Sequence, residues 1–308
     1  MSLKQLAILT WISFGLLFTC LLPNSSSNAH PKARLDLVSA GSMYQAFSLP
    51  KGNTVRISTS PQFSVITKIV TTTIKDTYNE LEEVFGPPTS LSVEVKLLQE
   101  DVFFMATQAP SWTNALYYDG TIIVPVKKNG MNTDDLKRSI RHEFSHAMLS
   151  WYTNGNAPGW FDEGFAQMME GSAHPALATA LKTWIKDNPP VPFHMLQNGF
   201  TKLDTKYVVP AYAQSFWAVR FLIGQYGLIK TKIYFEKLKR NFQDPFRSTF
   251  GISESKFEDQ IRCVLSNPMC LSTPESCGQC MNIKSIEMRG AKNQSTNQKK
   301  IVHVMGRY

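Results

Sequence analysis

The sequence predicts an α+β fold, and three observations carry that prediction. Leu91 to Leu98 alternates apolar and polar positions (Leu91, Val93, Val95, Leu97), as a half-buried strand does. Asn114–Tyr118 and Thr121–Val126 flank Asp119-Gly120, a pair suited to a tight hairpin whose two central residues both need positive φ. From Asn132 onward the apolar residues recur at helical rather than strand spacing.

Residues 30–53 show no clear periodicity and read as a lead-in, after which Thr54–Ser58 alternates weakly as a strand. Ile66, Ile69, Val70, Ile74, Tyr78, Leu81, Val84 and Phe85 form a stripe that predicts a helix over 65–85, broken by Gly86-Pro87-Pro88. After the hairpin, Asn132 or Thr133 can cap a new helix, and Asp134 and Asp135 suit its positive end. Its stripe is Leu136, Ile140, Phe144, Ala147, Met148 and Trp151, with His142 and His146 off that stripe. That placement argues against two structural histidines buried in the core. The turn formers of residues 153–159 stop this helix near Tyr152, and a second begins around Trp160. Further helices are expected over 176–185, 207–226, 231–241 and 254–265, with turns at Asn188-Pro189-Pro190 and Asn198-Gly199. No internal repeat is present.

The chain has 308 residues, enough for one large domain or two small lobes. It opens as a targeting segment: Lys4, an apolar run from Leu6 to Leu22, then Ser27-Asn28-Ala29, whose small residues suit a signal peptidase. Residues 1–29 therefore read as a signal peptide cleaved after Ala29, and the mature protein as exported, whether periplasmic, secreted or at the cell surface. An uncleaved anchor and a lipid on Cys20 are the alternatives. The net charge of +8 sits mostly at the ends: Lys4, and a tail over 281–308 with six Lys or Arg against Glu287. A basic, disordered tail implies loose contact with anionic surfaces and excludes a nucleic-acid fold. No glycine-rich phosphate loop is present. Cys263, Cys270, Cys277 and Cys280 read as two disulfides stapling the C-terminal end, ahead of a redox or zinc role for Cys277 and Cys280.

The chemistry is concentrated in Arg141-His142-Glu143-Phe144-Ser145-His146. A helix brings residues four apart to one face, so His142 and His146 can grip one metal ion, while Glu143 can take a proton from a water on that metal. Zinc in a hydrolase takes three protein ligands and leaves a fourth position for water. Glu163, seventeen residues after His146, completes the set if the two helices fold back on each other, with Asp162 and Glu170 as rivals. Gly164 would let those two helices approach closely.

The runs RHEFSHAML and APGWFDEGFA resemble the gluzincin-type zinc metallopeptidases of the peptidase MA group. Ala211–Gly227 and Phe250-Gly251-Ile252-Ser253 are similar to the helical part of small bacterial members, so the likeness spans roughly residues 55–265. The resemblance implies a zincin-like arrangement: an upper lobe over 54–172, of mixed sheet and metal-binding helix, and an all-helical lower lobe over 173–266. A Cys-rich segment (267–280) and the tail follow. It implies one Zn2+ per chain on His142, His146 and Glu163, Glu143 as general base, and a peptide or protein substrate held along one hairpin strand. It also implies an oxyanion donor on a downstream helix, for which Tyr212 is the first candidate and Tyr207 the second, ahead of His174 and His194. Where related enzymes often carry an acid one turn after the glutamate ligand, this chain has Gln167. That departure leaves open a non-catalytic binding protein built on the same scaffold.

Overall fold

A computed structural model describes residues 43–109, 113–127, 130–171, 175–200 and 203–266. The signal segment, most of the lead-in, the cluster of Cys270, Cys277 and Cys280, and the basic tail lie outside the described residues. The chain divides into two compact units, one of residues 1–155 with 199–202, the other of residues 156–198 with 203–308.

The first unit is built on a five-stranded mixed sheet: β1 (Met43–Leu49), β2 (Asn53–Thr59), β3 (Ser92–Gln99), β4 (Leu116–Tyr118) and β5 (Thr121–Val126), in the order β1-β2-β3-β5-β4. β2, β3 and β5 run parallel, while β1 and β4 close the two edges antiparallel. The parallel step from β2 to β3 requires a crossover, supplied by helix α1 (Ser64–Phe85). Its predicted stripe is the buried face: Val70, Ile74, Tyr78, Leu81 and Phe85 are all less than 5% exposed. Gly86, at φ 87°, ends it. Asn53, the first residue of β2, is tied to the far end of this crossover. Its amide donates to Tyr78 Oη (3.0 Å) and Pro88 O (2.8 Å), and its Oδ1 accepts from Leu91 N (2.7 Å).

The Asp-Gly hairpin forms as the sequence predicts, with Asp119 at φ 46° and Gly120 at φ 79°. Two elements had no sequence expectation. β1 occupies the segment read as a lead-in, and a short helix α2 (Glu100–Thr107) follows β3 directly. Phe103 and Ala106 of α2 pack with Leu98, Leu116 and Ile123 into a hydrophobic cluster on one sheet face.

Helix α3 (Thr133–Thr153) packs along α1. Asn132 caps it through Oδ1, which accepts from Asp134 N (2.8 Å) and Asp135 N (3.2 Å). Asn154, at φ 54°, ends it in the left-handed conformation. Three side chains fix α3 lengthwise: Arg141 makes a two-armed ion pair with Glu80, Tyr152 Oη donates to Gly86 O (2.7 Å), and Trp151 Nε1 donates to Thr89 O (2.9 Å).

The second unit is all helical among the described residues: α4 (Gly159–Met168), α5 (Pro175–Asp187), α6 (Thr205–Lys239), α7 (Pro245–Phe250) and α8 (Glu254–Ser266). The two helices expected over 207–226 and 231–241 are one run, bent at Gly227, whose φ 80° and ψ 166° are not helical. The core is aromatic. Trp160 stacks on Phe193 with centroids 4.5 Å apart and meets Phe161, Phe246 and Phe257, while Tyr234 packs on Phe161. A sheet-bearing unit and a helical unit together make the α+β class read from the sequence.

Candidate metal centre

In the first unit, the site begins with two rings on α3. Helical spacing brings His142 and His146 edge to face, centroids 4.8 Å apart, with their Nε2 atoms separated by 3.1 Å. Both rings are buried, at 0% and 2% exposure, although the sequence places them off the core stripe. The stripe reading fails because α3 is covered on more than one face: Ser139, Glu143 and Ser145 are buried as well. The rings are nevertheless not apolar filling, because each turns a nitrogen toward the other. Tyr117 of the edge strand β4 lies parallel to the His146 ring, 6.3 Å away and 12° from coplanar. Glu143 is fully buried next to His142.

In the second unit, Glu163 lies on α4 and is 3% exposed. Because α4 starts at Gly159, Glu163 is one residue beyond the first turn, which holds Asp162. The start of α4 is pinned by long-range contacts. Gly159 N donates to Gln197 O (2.8 Å), and Trp160 Nε1 and Gln197 Nε2 donate to the two carboxylate oxygens of Glu254 (2.7 and 2.9 Å). Gly164 permits a close approach of α4 to α6. A Cβ built on it would fall 2.2 Å from Ser215 O.

His142 and His146 in the first unit and Glu163 in the second are all buried. As donors they fit zinc: two imidazole nitrogens and one carboxylate oxygen are the set it takes in hydrolases. The two imidazoles fit by spacing too. Tetrahedral zinc with bonds of about 2.0–2.1 Å puts its ligand atoms about 3.3 Å apart, close to the 3.1 Å between the two Nε2 atoms.

The other residues singled out by the sequence divide clearly. Tyr212 is fully buried on α6, one turn before Ser215. Tyr207 instead packs against Trp184, centroids 5.4 Å apart, and is a packing aromatic. His194 is exposed in a turn, and His174 lies outside the described residues. Gln167 is buried at 5% exposure, and its Oε1 meets no donor among the described residues. Glu170 is buried too, whereas Asp162 is partly exposed. Sequence reasoning missed Tyr117. The hairpin was legible, but which of its residues faces a histidine depends on how the sheet meets α3.

Among solved structures, an M1 zinc metallopeptidase from Deinococcus radiodurans is 15% identical, with 73% of this chain and 51% of that chain covered and a TM-score of 0.43. A mutant M1 zinc metallopeptidase from the same organism, bound to a Tyr-Ser-Ala substrate, is 15% identical over 73% of this chain and 52% of that one, with a TM-score of 0.40. The chain spans about half the length of these structures. No curated protein matches it. The family model of the Peptidase MA superfamily matches residues 92–267, more than half of the chain and the whole of α3 and α4. This protein therefore belongs to the Peptidase MA superfamily.

Proposed function

We propose that this chain is an exported zinc-dependent peptidase that hydrolyses peptide bonds with Glu143 as general base. The observation that carries the reading is the pair of imidazole nitrogens 3.1 Å apart, with a buried carboxylate next in sequence to one of them. Membership of the Peptidase MA superfamily supports it. His142, His146 and Glu163 would hold the zinc. Bound there, zinc would supply the Lewis acidity that polarises a scissile carbonyl and eases ionisation of water.

The chain's own residues do the rest. The Glu143 carboxylate accepts a proton from the attacking water and returns it to the leaving amine. Its burial keeps competing bulk water away from that exchange. The Tyr212 hydroxyl is the candidate donor to the carbonyl oxygen as that oxygen gains charge. β4 ends the sheet, so its outer backbone groups can bind an extended peptide by strand addition. Stacking by Tyr117 holds the His146 ring in plane.

Two measurements test this reading. Purified protein is expected to carry about one zinc per chain and to cleave a mixed peptide library in a chelator-sensitive manner. Glu143→Gln should retain the zinc and lose at least about 100-fold in turnover, since general-base catalysis contributes about 10²–10⁴-fold. Undiminished cleavage by that variant refutes the assigned base. Bound zinc without any cleavage favours the non-catalytic scaffold reading, which Gln167 keeps specific. For export, N-terminal sequencing of the secreted protein should begin at His30; a start at Met1 refutes cleavage. The two proposed C-terminal disulfides predict no reactive thiol in the denatured mature chain, which has lost Cys20 with the signal segment, and four reactive thiols refute them.

A further inference from the structure

Three of the eight large hydrophobic side chains exposed among the described residues stand close together in sequence: Ile229 (59%), Ile233 (40%) and Phe242 (52%). They belong to the part of α6 beyond the Gly227 bend, and to the turn that follows it. At about 100° per residue, the buried residues Thr231, Tyr234, Phe235 and Leu238 share one face of this segment. Ile229, Ile233, Arg240 and the exposed Glu236 point the opposite way. Lys232 and Lys239 line one flank of that exposed strip, and Lys230 and Lys237 line the other.

Phe242 extends the strip. Its ring lies 5.4 Å from the Lys237 ammonium, and Lys237 stands one turn after Ile233. Lys237 also donates to Ser248 O (2.7 Å), and the Lys230 ammonium lies 5.4 Å from the Tyr226 ring. Between Ile229 and Phe242 there are five basic residues and a single acid, Glu236. Ile229 and Ile233 stand one turn apart on the exposed side, so their apolar surfaces adjoin. An apolar groove without acids would leave the flanking ammonium groups unpaired. Apolar centre and cationic rim together match a bilayer interface, where hydrocarbon lies beneath a layer of phosphates and lysine stems can reach upward to them.

We propose that this face of α6 docks the protein on an anionic phospholipid surface. Ile229, Ile233 and Phe242 enter the headgroup boundary, while Lys230, Lys232, Lys239 and Arg240 contact lipid phosphates. The proposal uses no residue of the metal centre and stands whether or not the protein is a peptidase. It is also separate from the basic tail, whose contact with such surfaces would be purely electrostatic.

Cosedimentation with sucrose-loaded vesicles tests it, using the chain from His30 onward, which keeps every described element. Wild type is expected to bind phosphatidylglycerol–phosphatidylcholine vesicles at least about tenfold more tightly than pure phosphatidylcholine vesicles. Ile229→Ser/Ile233→Ser should lower the partition coefficient about tenfold or more, as loss of two inserted side chains requires. Lys230→Gln/Lys232→Gln should lower it by a similar factor, an effect that shrinks in high salt. All four side chains are exposed, so circular dichroism melts of both variants should match wild type. Absence of binding to anionic vesicles overturns the proposal. So does binding unchanged in the isoleucine variant, which would assign adhesion to the tail. Capture by immobilised polyglutamate but not by vesicles would also overturn it, in favour of an acidic protein partner.

Discussion

Gly164→Ala isolates the packing beneath the third candidate ligand. A methyl group there would lie 2.2 Å from Ser215 O, 2.5 Å from Ser215 C and 2.7 Å from Val219 Cγ2. An ordinary carbon–oxygen contact is about 3.3 Å, so α4 and α6 must separate by about 1 Å at this point. Two of the three obstructing atoms are backbone atoms of a buried helix turn and cannot rotate aside. Overpacking of a dense core costs about 1–3 kcal/mol and occasionally more. Here the intrinsic helix preference for alanine returns about 1 kcal/mol. With the clash at the upper end of that range, a net loss of about 2 kcal/mol is the expected result, read from urea unfolding of the full chain by tryptophan fluorescence, since Trp160 lies in this core. Gly224→Ala on the same long helix is the internal control. Nothing lies within 4 Å of its added Cβ, so it should leave stability unchanged or raise it by up to about 1 kcal/mol. Because Gly164 follows Glu163, the first substitution should also weaken zinc retention during dialysis. If Gly164→Ala and Gly224→Ala unfold at the same urea concentration, the close approach of α4 to α6 is wrong.

The remaining predictions concern the cap, the metal and pH. Asn132→Ala removes the acceptor for two backbone N–H groups of α3 and should cost about 1 kcal/mol in urea unfolding, while Asn132→Asp should restore most of that loss. Zinc at about 100 times its dissociation constant should stabilise the wild-type chain by about 2.7 kcal/mol against urea, and His146→Ala or Glu163→Ala should abolish that increment. An equal increment in either variant places the metal elsewhere. Burial raises the ionisation of Tyr152 and Tyr234 well above the ordinary tyrosine range. Both remain neutral in the folded chain while the unfolded chain ionises from about pH 10, so stability is fully present below pH 10 and falls as pH rises beyond it. The slope contributed by each buried phenol is about 1.4 kcal/mol per pH unit. Tyr234→Phe should flatten the alkaline limb of a urea-midpoint titration, and an unaltered limb refutes the assignment.

What was legible beforehand follows from the range of each interaction. The Asp119-Gly120 turn and the Asn132 cap are decided within a few residues, and both form where the local chemistry puts them. Strand β1 escaped because MYQAFSL is an edge strand exposed on nearly all its length, so it carries no period-two burial for a pattern to record. Helix α2 escaped because Val102-Phe103-Phe104-Met105 is apolar all round, whereas only Phe103 of those four is buried. The histidine pair was readable for the same reason as the cap: one helix carries both rings, and its pitch alone brings their nitrogens together.

Glu163 is a different kind of inference. Its identity as a carboxylate is local, but the helix that presents it is held by Glu254, Gln197 and Ser215, residues 34 to 91 positions away in the chain. No motif spans that distance. The practical consequence is that substitutions at Glu254 should affect zinc retention while leaving the His142–His146 geometry unchanged. Glu254→Gln keeps the acceptor for Trp160 on its amide oxygen and should preserve the fold. Glu254→Ala removes the acceptor from both Trp160 and Gln197, leaving a buried indole N–H unsatisfied at about 1–3 kcal/mol. If Glu254→Ala unfolds no sooner than Glu254→Gln, this carboxylate does not hold α4 in place, and the start of the ligand helix must be fixed by other contacts.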